Sequence, residues 1–174
     1  FALGALLDGG GDDVYAGRWY VLGAGAHYAN GLLHDAGGND RYNEFEDRRL
    51  NVTLGGGHDY SIAFLIDDSG SDTYYSPNLS LGAGNDNGFG LLLDRDGIDS
   101  YQCSSNFSLG NAITSPYRSS PLSVGIFLDA GGGDVYSRPD TSLLVEGTLW
   151  TQTMTGAPNE HGAGFDSLAG EPGI

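Results

Sequence analysis

The phrase D-x-x-G-x-D-x-Y occurs five times in 174 residues: DGGGDDVY from Asp8, DAGGNDRY from Asp35, DDSGSDTY from Asp67, DRDGIDSY from Asp94 and DAGGGDVY from Asp129. With first aspartates at 8, 35, 67, 94 and 129, the spacings are 27, 32, 27 and 35 residues. A phrase that returns at such intervals signals a repeat architecture. One unit of this size cannot bury its own apolar face, and stacking neighbours makes the core continuous.

Aligning the copies extends the pattern. Four residues before the first Asp stand Gly4, Gly31, Ala63, Gly90 and Gly125, followed by three mostly apolar residues whose middle member is Leu6, Leu33, Leu65, Leu92 or Phe127. Six residues before the Asp stand the small residues Ala2, Ala29, Ser61, Gly88 and Ser123. Downstream, N-x-[ST]-L-G recurs at Asn51, Asn78 and Asn106, and WYVLGAG takes its place in the first copy. The apolar runs are too short and too rich in glycine for helices, so each reads as a short strand closed by a Gly-Asp turn. A coil of about 27 residues suits two or three strands per turn, which predicts an all-β parallel β-solenoid of about five coils. An antiparallel sandwich is the competing architecture, but it does not require the same phrase at the same corner. By strand parity, the small residues and the middle aliphatic line the interior. The tyrosines Tyr15, Tyr42, Tyr74, Tyr101 and Tyr136 are expected to stack inward as a ladder. Both aspartates of each phrase are expected to point toward the turn.

Equivalent residues of adjacent parallel strands lie ~4.8 Å apart, where two carboxylates repel by roughly 3 kcal/mol at an effective dielectric near 20. Two remedies exist: a hard cation between coils, or hydrogen bonds from the turn's own amides, as in Asx-turns. The segment GGNDRY resembles the RTX nonapeptide repeat, G-G-x-G-x-D-x-U-x, through Gly38, Asp40 and Tyr42 and their counterparts. That resemblance implies Ca²⁺ held between stacked turns of a parallel β-roll. The copies depart from it in having Asp8, Asp35, Asp67, Asp94 and Asp129 where the RTX phrase has its leading Gly, and in a longer period. The whole pattern is also similar to tandem Asp-Gly-Tyr solenoid repeats of long bacterial proteins with no assigned activity. The candidate metal ligands are Asp8, Asp13, Asp35, Asp40, Asp67, Asp72, Asp94, Asp99, Asp129 and Asp134, with Ca²⁺ as the cation.

A formal charge of −16, with no Lys, argues against nucleic acid and an anionic membrane as partners. The 19 aromatics spread along the chain, with 39% hydrophobic residues, argue for folding despite that acidity. The apolar runs are too short to span a bilayer as helices. Cys103 is the sole cysteine, which leaves no internal disulfide and no thiolate metal cage; it reads as a small buried hydrophobe. With no signal peptide at Phe1, the sequence reads as a mature product or a piece of a longer chain.

The N-x-[ST] triplets are formally glycosylation sequons, but their common register favours a ladder of Asn and Ser/Thr between coils. His27, His34, His58 and His161 share no metal-ligand spacing. Glycoside hydrolysis would need two carboxylates beside a sugar groove, and a site of that kind should break the repeat. The irregular places are two expected insertion loops, Asn43 to Asn51 and Asn111 to Leu122. The first holds the polar cluster of Glu44, Glu46, Asp47, Arg48 and Arg49.

These readings converge on residues 1–137 as a five-repeat β-solenoid and 138–174 as a C-terminal partial repeat, cap or interface. The expected function is a non-catalytic extracellular or cell-surface scaffold, spacer or docking module, bacterial in character and stabilised by Ca²⁺. Its partner is expected to be another protein, or a second copy meeting it through the solenoid ends or cap. The alternative is a carbohydrate-binding or carbohydrate-active β-helix using the insertions and exposed aromatics such as Trp19, Tyr20 and Tyr117.

Overall fold

The computed structural model describes residues 1–45, 51–104, 108–113, 122–138, 141–145 and 162–166. Every regular element among them is a strand. The apolar triplet and its flanking residues form β1 (Ala2–Leu7), β4 (Ala29–Asp35), β7 (Ile62–Asp67), β10 (Phe89–Asp94), β13 (Val124–Asp129) and β16 (Gly162–Asp166), which lie side by side in that order in one parallel sheet. The tyrosines stand on β2 (Val14–Tyr15), β5 (Arg41–Tyr42), β8 (Thr73–Ser76), β11 (Ser100–Cys103) and β14 (Val135–Arg138), a second sheet that is parallel throughout these five. Its edge is closed by β15 (Thr141–Val145), antiparallel to β14. Two-residue strands β3 (Gly25–Ala26), β6 (Gly57–His58), β9 (Gly84–Asn85) and β12 (Ala112–Ile113) make a third parallel sheet.

Register decides between the two architectures. Leu33 pairs with Leu65, Leu65 with Leu92 and Leu92 with Phe127, while Asp35, Asp67, Asp94 and Asp129 pair in sequence. Successive triplet strands are therefore parallel and in the register of the repeat, which excludes the antiparallel sandwich. A parallel pair cannot be joined by a tight hairpin. Each of the first four repeats instead visits the second and third sheets before the chain returns to the first.

Burial follows the expected parity. On β7 exposed or half-buried Ile62, Phe64 and Ile66 alternate with buried Ala63, Leu65 and Asp67. Leu33, Leu65, Leu92 and Phe127 meet the tyrosines and Leu54, Leu81 and Leu109 in one core. Those last leucines stand in the N-x-[ST]-L-G corners. All three adopt a left-handed backbone, with φ of 49° to 58°, and a glycine at φ 69° to 73° follows each. An L-residue is strained in that region, so the corner is held by burial of the leucine. The glycine is required by contact as well: a Cβ on Gly55 would run into the Leu91 carbonyl, and one on Gly82 into that of Ile126. Of the expected ladder one rung joins motif hydroxyls, Thr53 Oγ1 lying 3.0 Å from Ser80 Oγ; Ser108 Oγ instead accepts from Ser76, outside the motif, at 2.9 Å.

The two expected insertions begin inside the structure rather than leaving it. Asn43 is buried and donates from Nδ2 to Thr53 Oγ1 at 3.0 Å. In the second, Ala112 and Ile113 form β12 and pair with Gly84 and Asn85. The remaining parts, 46–50 and 114–121, lie outside the described residues, as do Asn106, Tyr117 and His161. No helix among the described residues is long and apolar enough to cross a membrane.

Candidate metal centre

Each letter of the repeated phrase has a structural task. The tyrosine rings stack face to face, with centroids 4.9 Å apart for Tyr15 and Tyr42, 4.7 Å for Tyr42 and Tyr74, 4.9 Å for Tyr74 and Tyr101, and 5.0 Å for Tyr101 and Tyr136. Buried phenols need partners, and the first aspartates supply them. Tyr74 lies within hydrogen-bond distance of Asp67 Oδ2 (2.9 Å) and Asp94 Oδ2 (2.8 Å). Tyr42 similarly approaches Asp67 at 2.7 Å and Asp35 at 3.3 Å, Tyr101 donates to Asp94 at 2.9 Å, and Tyr136 to Asp129 at 2.5 Å. These aspartates therefore face the core. The expectation that they point toward the turn holds for one oxygen only: parity runs two residues past the inward aliphatic and also keeps the carboxylate inside, where Asp35, Asp67, Asp94 and Asp129 are 0% exposed. Their other oxygen retains the Asx-turn role in three copies, accepting from the amides of Gly37 at 2.9 Å, Ser69 at 3.3 Å and Gly131 at 3.4 Å.

The second aspartates are also inside, with Asp40, Asp72, Asp99 and Asp134 no more than 2% exposed. Each Oδ1 accepts the backbone N–H of its counterpart in the preceding repeat: Asp13 to Asp40 at 2.6 Å, Asp40 to Asp72 at 2.6 Å, Asp72 to Asp99 at 2.7 Å and Asp99 to Asp134 at 2.8 Å. The glycine two residues earlier makes room for this. A Cβ on Gly38, Gly70, Gly97 or Gly132 would collide with the carbonyl of the stacked glycine before it. On Gly97 it would also sit 2.5 Å from Asp99 Oδ2. Oδ2 of Asp40, Asp72 and Asp99 is buried with no hydrogen-bond partner.

Three groups of carboxylates result: Asp40 with Asp67 and Asp72, Asp72 with Asp94 and Asp99, and Asp99 with Asp129 and Asp134, each offering oxygens within 4.8 Å of one another. Seven of the ten candidate ligands are thus brought together, and each group mixes the two columns. Asp8, Asp13 and Asp35 join no such group among the described residues. Asp8 and Asp13 lie at the half-exposed end of the stack, and Asp35 has both oxygens engaged, by the Gly37 amide and by Tyr15 at 2.5 Å.

Full ionisation of such a group is costly. Three carboxylates within 4.8 Å make three repelling pairs, about 3.5 kcal/mol each at an effective dielectric of 20. That total rivals the stability of a whole domain. Burial accordingly pushes Asp72 up to about 8 and Asp99 up to about 9, with neighbouring carboxylates, Asp94 foremost for Asp99, adding to it. Burial likewise raises Asp129 to about 8, despite the opposing bond from Tyr136, and Asp40 and Asp67 to about 6. Asp94 is raised by the same cause. The donor set is all oxygen, carries excess negative charge and leaves buried oxygens unpartnered, so these residues fit a hard divalent cation.

Other candidates stay outside this centre. His27 meets Asp59 at 2.9 Å, His34 meets Asp68 at 2.9 Å and His58 meets Asn85 at 2.5 Å. Glu44 pairs with Arg41 at 2.9 Å. Asp68, which no motif singled out, also takes Arg95 at 2.7 Å on the outer face. Exposed Tyr28 and Tyr60 stack 5.1 Å apart, and Phe1 meets Tyr28 edge-on at 5.7 Å. Asn87 occupies the corresponding corner in the next repeat, so this aromatic row ends there. Trp19, also exposed, stacks on Tyr20 at 4.6 Å. No protein-family model, no curated protein and no solved structure matches the chain.

Proposed function

We propose that this protein is a non-catalytic structural module: a parallel β-solenoid of about five coils, stabilised by Ca²⁺, that serves as a rigid scaffold, spacer or docking element outside the cell or at its surface. The observation that carries the reading is the use of the repeated polar residues. Tyrosine hydroxyls, first aspartates and second aspartates are spent on one another, buried, in the same way from repeat to repeat. A catalytic pair would depart from the repeat and open to solvent, and these carboxylates do neither. The resemblance of Gly38, Asp40 and Tyr42 to the RTX phrase supports Ca²⁺ as the cation. Thermal melting in millimolar Ca²⁺ and in excess chelator tests the reading. Expected is a clear rise in melting temperature with Ca²⁺; equal temperatures would remove calcium from it.

Glycan binding is the second reading, favoured by the exposed rings of Trp19, Tyr28 and Tyr60. The rings of Tyr28 and Tyr60 are nearly parallel in their stack, 3° apart, so their inner faces are already covered. Binding at Trp19 would change tryptophan fluorescence on addition of oligosaccharides.

A further inference from the structure

The three carboxylate groups are linked. Asp72 belongs to the first and the second, and Asp99 to the second and the third. Resting on the calcium-stabilised reading above, we propose that the column holds a file of three divalent-cation sites, one in each gap from the second repeat to the fifth, with Asp72 and Asp99 each ligating two neighbouring cations.

The unpartnered oxygens carry the proposal beyond an acidic cluster. Asp72 is 1% exposed and Asp99 2%; each commits Oδ1 to a backbone N–H and leaves Oδ2 buried without a partner. These are the two residues that face a group on either side. Asp40, also 1% exposed with Oδ2 unpartnered, faces one. Charge agrees: seven carboxylates against three divalent cations leave a formal −1. The chemistry selects the cation. No His or Cys enters the groups, so softer metals gain nothing here. Mg²⁺ sheds its water reluctantly and demands octahedral geometry, whereas Ca²⁺ accepts irregular cages of carboxylate oxygen. A buried cage of carboxylate oxygens therefore favours Ca²⁺.

Among the described residues neither Asp13 nor Asp35 joins a carboxylate group, so the file has no fourth member in the first gap. The file also differs from RTX-type binding, because it needs the first aspartate of each phrase, which the RTX phrase lacks.

The test counts ions. The full chain is stripped with chelator, returned to chelator-free buffer and brought to equilibrium dialysis against CaCl₂, with bound calcium measured by elemental analysis. Terbium luminescence sensitised by the tyrosine ladder gives an independent titration. Wild type should bind three Ca²⁺, Asp40→Asn two and Asp72→Asn one, with Mg²⁺ at equal concentration failing to displace them. A wild-type count other than three, or loss of a single ion in Asp72→Asn, would overturn the shared file. If Asp72→Asn does not fold by circular dichroism, the end ligands decide. Asp40→Asn and Asp134→Asn should each lose one ion and the double variant should keep one; any other count overturns the proposal. The two readings fail differently. Melting unmoved by Ca²⁺ with no ion bound sinks the calcium reading and the file together. Melting that rises with Ca²⁺ at a different stoichiometry sinks the file alone.

Discussion

Tyr74→Phe isolates the hydroxyl that bridges two repeats. The ring is fully buried and stacked on both sides, at 4.7 Å from Tyr42 and 4.9 Å from Tyr101, so Phe preserves the area buried and the stacking. What is lost is one phenolic proton shared between Asp67 at 2.9 Å and Asp94 at 2.8 Å. A hydrogen bond to a charged group contributes about 1.5–3 kcal/mol. Both carboxylates keep another donor, Tyr42 for Asp67 and Tyr101 for Asp94, so neither loses its last phenol. The expected cost is therefore about 2 kcal/mol, near the middle of that range. In a chain of this length that is a fall of roughly 4–8 °C in melting temperature. Tyr28→Phe is the control: its ring is exposed and its stacking on Tyr60 survives, so the change should stay within about 0.5 kcal/mol. Urea denaturation followed by circular dichroism measures both variants under one buffer. If Tyr74→Phe is as neutral as Tyr28→Phe, the phenol–carboxylate ladder does not stabilise the stack, and the account of the repeated Tyr fails.

Gly97→Ala should cost at least about 2 kcal/mol by overpacking, because its Cβ meets both the Gly70 carbonyl and the Asp99 carboxylate; denaturant titration at unchanged m-value checks it. Leu92→Ala should cost about 2–5 kcal/mol, since the side chain is 0% exposed in the middle of the core; a loss under 1 kcal/mol would argue that the interior is loosely packed. In chelator, stability should fall as pH rises. Asp40, Asp67, Asp72, Asp99 and Asp129 have folded values raised to between about 6 and 9, so between pH 4 and 9 the folded chain holds more protons than the unfolded one. Their contribution is complete below pH 4 and is lost as pH climbs through those values, and melting curves across that range should show it, flattened when Ca²⁺ is present.

The strands, their parallel register and the inward tyrosines were legible because the repeat states them directly: equal phrases in a stack must fall beside one another. The orientation of the first aspartate was legible in part. Parity from Leu65 through Asp67 brings the carboxylate to the turn, where one oxygen meets the Ser69 amide. The partner of the other oxygen is a phenol seven residues later, Tyr74 for Asp67, and only the closed turn brings it there. The left-handed leucines at 54, 81 and 109 were not legible at all. Nothing in local propensity favours Leu at positive φ; burial across the stack imposes it. The start of β12 was hidden for a related reason. Ala112 and Ile113 earn their pairing from Gly84 and Asn85 of the preceding repeat, not from any period of their own.

Proton counting shows why the letters of the phrase cannot vary independently. Tyr42 and Tyr74 each lie within hydrogen-bond distance of two carboxylates yet carry one phenolic proton. When both neighbours are ionised, one of the two contacts has no hydrogen in it. A carboxyl proton repairs the contact, and burial raises Asp67 and Asp94 in the direction that retains one. A cation repairs the column differently, by drawing charge toward the opposite oxygens and leaving the phenol to choose one acceptor. The cation remedy requires the second aspartate to be close, and it is close only because the glycine two residues before it has no Cβ to keep the stacked turn away. The glycine sets the approach of the turns, the approach gathers the carboxylates, and the gathered charge demands both the tyrosine proton and a further compensating positive charge. Changing one letter in one repeat therefore disturbs the contacts of the repeats on both sides, which is a physical reason for the phrase to recur intact while the residues between its copies vary in length.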